Sequence, residues 1–177
     1  MTIVSGPEVV QLPDVSYVGF RDRVPFKGLA AHTAAMHAEF ATWVLAHSVA
    51  AVGPQFLRLH VIDPAGQATV SVAIPVADSD LASAAAAADQ DPRVVADVVP
   101  AGRYATLTYM NHGVKANLAL TTWCSAQGLE IERLRDETGS TFVARLETMV
   151  ADPANASRAA RPHVRLDFKL ADAPGAP

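Results

Sequence analysis

The order of segments along this 177-residue chain runs through once and then runs through again. Residues 8–12 and 16–23 have strand composition, interrupted by Pro13-Asp14. Pro25 and Gly28 then punctuate the chain, and residues 29–47 carry apolar side chains at helical spacing (Leu29, Met36, Phe40, Trp43, Val44). Residues 56–62 and 69–76 alternate around the turn Asp63-Pro64-Ala65-Gly66, the pattern of a hairpin. The second pass has strand composition at 93–99 and 103–110, separated by Pro100-Ala101-Gly102. Asn111-His112-Gly113 leads into a helix over 114–127 that Gly128 ends, and strands follow at 141–150 and 163–170. Each half reads strand, strand, helix, strand, strand if its short first strand is counted, a βαββ unit with a leading strand. A duplicated unit predicts a single α+β domain with a pocket where its halves meet. Its parts are repeat one over 8–76, an alanine-rich connector over 78–92 (helical over 78–90), repeat two over 93–170, and a frayed tail over 171–177.

Matching Pro13 to Pro100 places Tyr17 on Tyr104 and Gly28 close to Gly113, with Trp43 and Trp123 both late in their helices. Matching Arg58-Leu59-His60 to Arg145-Leu146-Glu147 places His60 opposite Glu147. Strand parity then separates two faces. Leu57, Leu59 and Val61, with Phe142, Ala144 and Leu146, form an apolar face expected to pack on the helices. Arg58, His60, Arg145 and Glu147 form a mixed face, continued by Tyr17, Gly19 and Arg21 and by Tyr104, Thr106 and Thr108. If the sheet curves, those polar groups surround one space, as in a small-molecule site. The same parity is compatible with Arg145 and Glu147 pairing on a solvated surface.

Composition narrows the functional classes. Half of the residues are apolar, enough for a sizeable core, and the net charge of −4 comes without a basic patch or arm, which argues against direct binding of nucleic acid. Cys124 stands alone, so no intramolecular disulfide forms. No signal-peptide pattern follows Met1, and no apolar run approaches the roughly 20 residues of a membrane span, so a soluble, cytoplasmic protein is expected. His32, His37 and His47 are wrongly spaced to share a metal, and no His-Glu-x-x-His, phosphate loop or dinucleotide fingerprint occurs. No metal or cofactor is expected.

Tyr104-Ala105-Thr106-Leu107, Asn111-His112-Gly113, Trp123, Arg145-Leu146-Glu147 and Ala151-Asp152-Pro153, in that order, resemble the GyrI-like small-molecule-binding superfamily, which includes effector-binding domains of multidrug-responsive regulators and is related to the SOUL architecture. The resemblance spans almost the whole chain. It implies a strongly curved, eight-stranded antiparallel sheet with two outer helices and a cleft between the repeats. It places Glu147 at the base of that cleft, with aromatic walls and an amphipathic drug or effector as ligand. Two departures stand out: Val114-Lys115 follow the His112-Gly113 turn where an aromatic is common, and Leu146 precedes Glu147 where tyrosine is common.

The expected ligand-binding set is Glu147, Tyr17, Tyr104, His60, Arg145, Thr108 and Trp123. A carboxylate in an apolar cleft suits either a bound cation or general acid/base work. Arg145 beside it would hold it ionised and favour an anionic or zwitterionic ligand. The leading expectation is a standalone binding protein, monomeric or homodimeric, that would need a separate chain to regulate transcription. The alternatives are a hydrolase of strained cyclopropane-type toxins using Glu147, an inhibitor of a protein partner such as a topoisomerase, and haem binding through His60.

Overall fold

In this computed structural model the described residues are 1–86, 91–136, 139–150 and 163–172. Ten strands form one sheet: β1 (Thr2–Leu12), β2 (Val15–Pro25), β3 (Phe56–Ile62), β4 (Gln67–Pro75), β5 (Val94–Val99), β6 (Gly102–Met110), β7 (Arg133–Asp136), β8 (Gly139–Phe142), β9 (Arg145–Val150) and β10 (His163–Lys169). The helices are α1 (Leu29–Ala46), α2 (Leu81–Ala86) and α3 (Gly113–Ala126). The fold is α+β, as the sequence indicates. The turn Ala151-Asp152-Pro153, residues 87–90 of the connector and most of the tail lie outside the described residues.

Eight strands follow the path β1-β6-β10-β9-β3-β4-β2-β5, with every pairing antiparallel. This order is palindromic for the repeat. Exchanging β1 with β5, β2 with β6, β3 with β9 and β4 with β10 reverses it onto itself. The leading strand of each repeat therefore pairs with the other repeat, β1 on β6 and β5 on β2, and the halves meet at β3–β9. The remaining two strands, β7 and β8, make a short ribbon against the end of β3. That ribbon arises because the segment expected as one strand over 141–150 is interrupted at Val143-Ala144. Val143 N then bonds to Glu132 O, outside the main ladder.

Alternation along the strands divides the core into three parts. Under α1, Met36 and Phe40 pack on Val18, Phe20, Leu57, Leu59, Val70 and Val72, with Leu29, Trp43 and Val44 at the margin. This is the stripe seen in the sequence. Under α3, Ala116, Leu120 and Cys124 recur every four residues and pack on Ala105, Leu107, Tyr109, Leu166 and Phe168. The third cluster lies on the opposite face, where Tyr17, Phe56, Val99, Tyr104, Ala144 and Leu146 fill the interior of the curve. On the face away from the helices these side chains pack against one another.

Candidate functional site

The register between β3 and β9 decides which residues share a site. Phe56 pairs with Thr148, Leu57 with Glu147, and Arg58 with Leu146. Glu147 therefore stands beside Leu57, on the helix-bearing face, and Arg58 stands beside Leu146 on the other. The expectation that His60 answers Glu147 is overturned. Matching Arg58 to Arg145 shifts one repeat by an odd number of residues, and an odd shift moves every side chain to the other face. A bulge between Leu59 and Val61 further displaces His60 from the ladder.

Glu147 lies in a cleft of about 660 Å³ between the N-terminal turns of α1 and α3. Its floor is Leu57 and Leu59 from β3 and Arg145, Glu147 and Met149 from β9. Leu29, Thr33 and His37 of α1 face Val114 and Asn117 of α3 across it. The volume lies in the range of small-molecule sites, and the lining is mostly apolar. Gly28 precedes α1 with φ of 82°, a left-handed conformation that glycine adopts without strain. At the start of α3, a Cβ on Gly113 would lie 2.9 Å from Tyr109 Oη, so glycine lets the helix end approach the tyrosine. Neither helix has a side-chain cap or an acidic residue in its first turn, so both positive helix ends face the cleft uncompensated by their own residues.

Asn117 organises the polar end of the cleft. Its Nδ2 donates to Glu147 Oε1 at 3.1 Å and to Gly113 O at 2.9 Å, and its Oδ1 accepts from Arg145 Nη2 at 2.5 Å. One amide thereby fixes a carboxylate and a guanidinium in neighbouring positions. The Arg145 guanidinium lies 5.0 Å from the Phe142 ring centre and 5.1 Å from that of Phe168. Burial lowers its pKa to about 10, against the opposing pull of Glu147. Arg145 Nε and His37 Nδ1 are buried without a hydrogen-bond partner. Burial also lowers the His37 pKa, favouring its neutral form. Tyr109, close to both charges, has its phenol pKa raised by burial and then by Glu147.

Of the seven residues expected to bind ligand, Glu147 and Arg145 line this cleft and the other five do not. Thr108 shares the face of Tyr104 and Thr106, away from α3. Trp123 packs at the margin of the α3 core, six residues and about 9 Å of helix rise beyond Asn117. Tyr104 donates from Oη to Pro100 O at 2.6 Å, closing the turn between β5 and β6.

Tyr17 and His60 belong to a polar cluster on the opposite face. Arg58 donates from Nη1 to Tyr17 Oη at 3.1 Å and Val98 O at 3.0 Å, and from Nη2 to Val143 O at 3.0 Å. Asp97 Oδ2 takes Arg21 at 2.8 Å and Arg58 at 3.5 Å, and accepts from Tyr17 Oη at 3.1 Å. Ser71 Oγ accepts from Arg21 Nε at 3.2 Å and lies 2.8 Å from His60 Nε2, so its own hydrogen can serve a neutral imidazole.

Burial and then the two arginines lower the His60 pKa from 6.5 to about 3. The unfolded chain takes up this proton near pH 6.5, and the folded chain resists it until about pH 3. Stability contributed by neutral His60 is therefore complete above pH 6.5 and is lost on acidification below it, by up to about 1.4 kcal/mol per pH unit. Chemical unfolding from pH 7 to pH 4 should show a shallower acid slope in His60→Gln than in the unaltered protein. Equal slopes would contradict the assignment.

Sequence reasoning missed Asn117, His37, Tyr109 and Met149. Asn117 carried a local signal, one helical turn after Gly113; Met149 came in through the strand register, His37 through the seat of α1 on the sheet, and Tyr109 through its place against Gly113.

The sequence matches no protein-family model and no curated protein. Solved structures are similar in fold. The EcmrR C-terminal domain aligns over 94% of this chain and 97% of its own, with 11% identity and a TM-score of 0.58. SAV2435, in its structure bound to tetraphenylphosphonium, aligns over 94% of both chains at 10% identity and a TM-score of 0.56. A conserved protein from Listeria innocua aligns over 93% of this chain and 91% of its own, at 14% identity and a TM-score of 0.53. These likenesses define the class at the level of fold: the duplicated α+β architecture that this chain shares with the EcmrR C-terminal domain and SAV2435. At such identities it is the fold that is shared. Among the described residues, no helix is long and apolar enough to cross a membrane.

Proposed function

We propose that this protein binds an amphipathic small molecule in the cleft between α1 and α3, with its polar end at Glu147 and Arg145. The observation that carries this reading is the Glu147–Asn117–Arg145 chain at the seam of the repeats, set in a mostly apolar cleft. The bound tetraphenylphosphonium of SAV2435 supports small-molecule binding on this fold. The polar end here differs from a lone carboxylate. Arg145 offsets the charge of Glu147, two helix ends add positive potential, and Arg145 Nε is buried without an acceptor. A ligand whose head both donates and accepts, such as a zwitterion, satisfies Glu147 and Arg145 together, whereas a plain cation leaves the guanidinium unanswered.

A thermal-shift series with amphipathic zwitterions such as N-octylglycine tests this. Binding raises the unfolding midpoint by mass action. Glu147→Gln removes the charge while keeping an acceptor for Asn117, and should weaken binding about tenfold or more, roughly 1.4 kcal/mol. Equal shifts in both proteins would remove Glu147 from the site.

A further inference from the structure

The opposite face of the same strands carries a second hollow, of about 540 Å³. Its floor is formed by Phe56, Val99, Leu146 and Thr148, all buried. Its walls are the turn after β1 with Asp14, the loop at Val52–Pro54 (residues 52–54) and the segment after β4 ending at Asp78. Those walls are tied to one another. Val52 N donates to Pro75 O at 3.0 Å, Val76 N to Ser16 O at 2.9 Å, and Ser16 Oγ to Asp78 Oδ1 at 2.6 Å. The hollow is therefore held open by hydrogen bonds among its own walls.

Its charge differs from that of the cleft. Arg165, the basic residue in its wall, is matched by buried Asp167 at 2.8 Å. Asp14 and Asp78 remain at the mouth, where their hydrogen-bond partners are the uncharged Ala101 N and Ser16 Oγ. An apolar interior under a negative rim is complementary to a cation with an apolar body. We propose that this hollow is a second ligand site, for an amphipathic cation whose body lies on Phe56, Val99 and Leu146 and whose ammonium faces Asp14 and Asp78.

The two sites stand back to back. Leu57, Glu147 and Met149 face the cleft, and their chain neighbours Phe56, Leu146 and Thr148 face the hollow. Strand alternation thus builds two sites of different charge preference from one pair of strands. This inference does not depend on the cleft being occupied.

Calorimetric titration of the full chain with octyltrimethylammonium tests it. Expected is one bound cation, with affinity within twofold of the unaltered protein in Glu147→Gln. The double variant Asp14→Asn/Asp78→Asn should bind at least tenfold more weakly. Val52, 64% exposed at the rim, offers a steric test that leaves the core intact: Val52→Trp should also weaken binding at least tenfold. Both sets of variants should retain the response to N-octylglycine wherever the unaltered protein shows one. Loss of the cation in Glu147→Gln, its retention in the aspartate double variant, or no binding to the unaltered protein would each overturn the proposal.

Discussion

Replacing Arg58 with alanine is expected to destabilise the fold by about 2–4 kcal/mol, the scale seen when a buried charged donor is removed from several acceptors. Its side chain is 9% exposed, and it reaches from β3 to Tyr17 Oη, to Val98 O on β5 and to Val143 O before β9. Alanine would strand two carbonyls and leave Asp97 with Arg21 as its remaining cationic partner. For a chain of this length such a loss lowers the unfolding midpoint by on the order of 10 °C. Arg58 faces away from the cleft, so affinity for a cleft ligand should change less than twofold at a temperature where the variant is folded. A small stability loss with strong loss of cleft binding would mean that Arg58 contacts the ligand.

Replacing Arg145 with methionine should change which ligands bind. The substitution keeps an apolar stem and removes the guanidinium, which lies over Phe142 and Phe168 and offsets the charge of Glu147. Asn117 retains its bond to Glu147, so the carboxylate stays oriented. Zwitterions and anions should lose about tenfold or more in affinity, and octyltrimethylammonium should gain a second bound equivalent, at the cleft. Calorimetric stoichiometry reads this directly. A variant that still takes one cation and holds zwitterions unchanged would contradict the role given to Arg145.

The sequence carried the parts of this fold whose signals are local. The stripe from Leu29 to Val44, the hairpin around Asp63-Pro64-Ala65-Gly66 and the second helix after Gly113 all follow from periodicity and turn chemistry. The duplication was visible as well, because each repeat spells its elements in the same order. What local patterns do not encode is how β3 lies against β9, a pairing between residues about ninety positions apart. The likeness of Arg58-Leu59-His60 to Arg145-Leu146-Glu147 suggested a match that the register shows to be off by an odd number of residues. With a side-chain period of two, an odd shift puts Arg58, His60 and Tyr17 on the face opposite Glu147. The ribbon of β7 and β8 was also not legible, since its short, charged first strand Arg133–Asp136 lacks the alternation of apolar residues that marks a half-buried strand.

The assignment of the ligand cleft to the helix-bearing face is most directly tested by an amide-resolved NMR titration with N-octylglycine. The account predicts shifts centred on Leu57, Asn117, Arg145 and Glu147, with Ser71, His60 and Asp97 unmoved. Shifts centred on Tyr17, Arg58, His60 and Ser71, with the α3 start unmoved, would place the site on the other side of the sheet and contradict it.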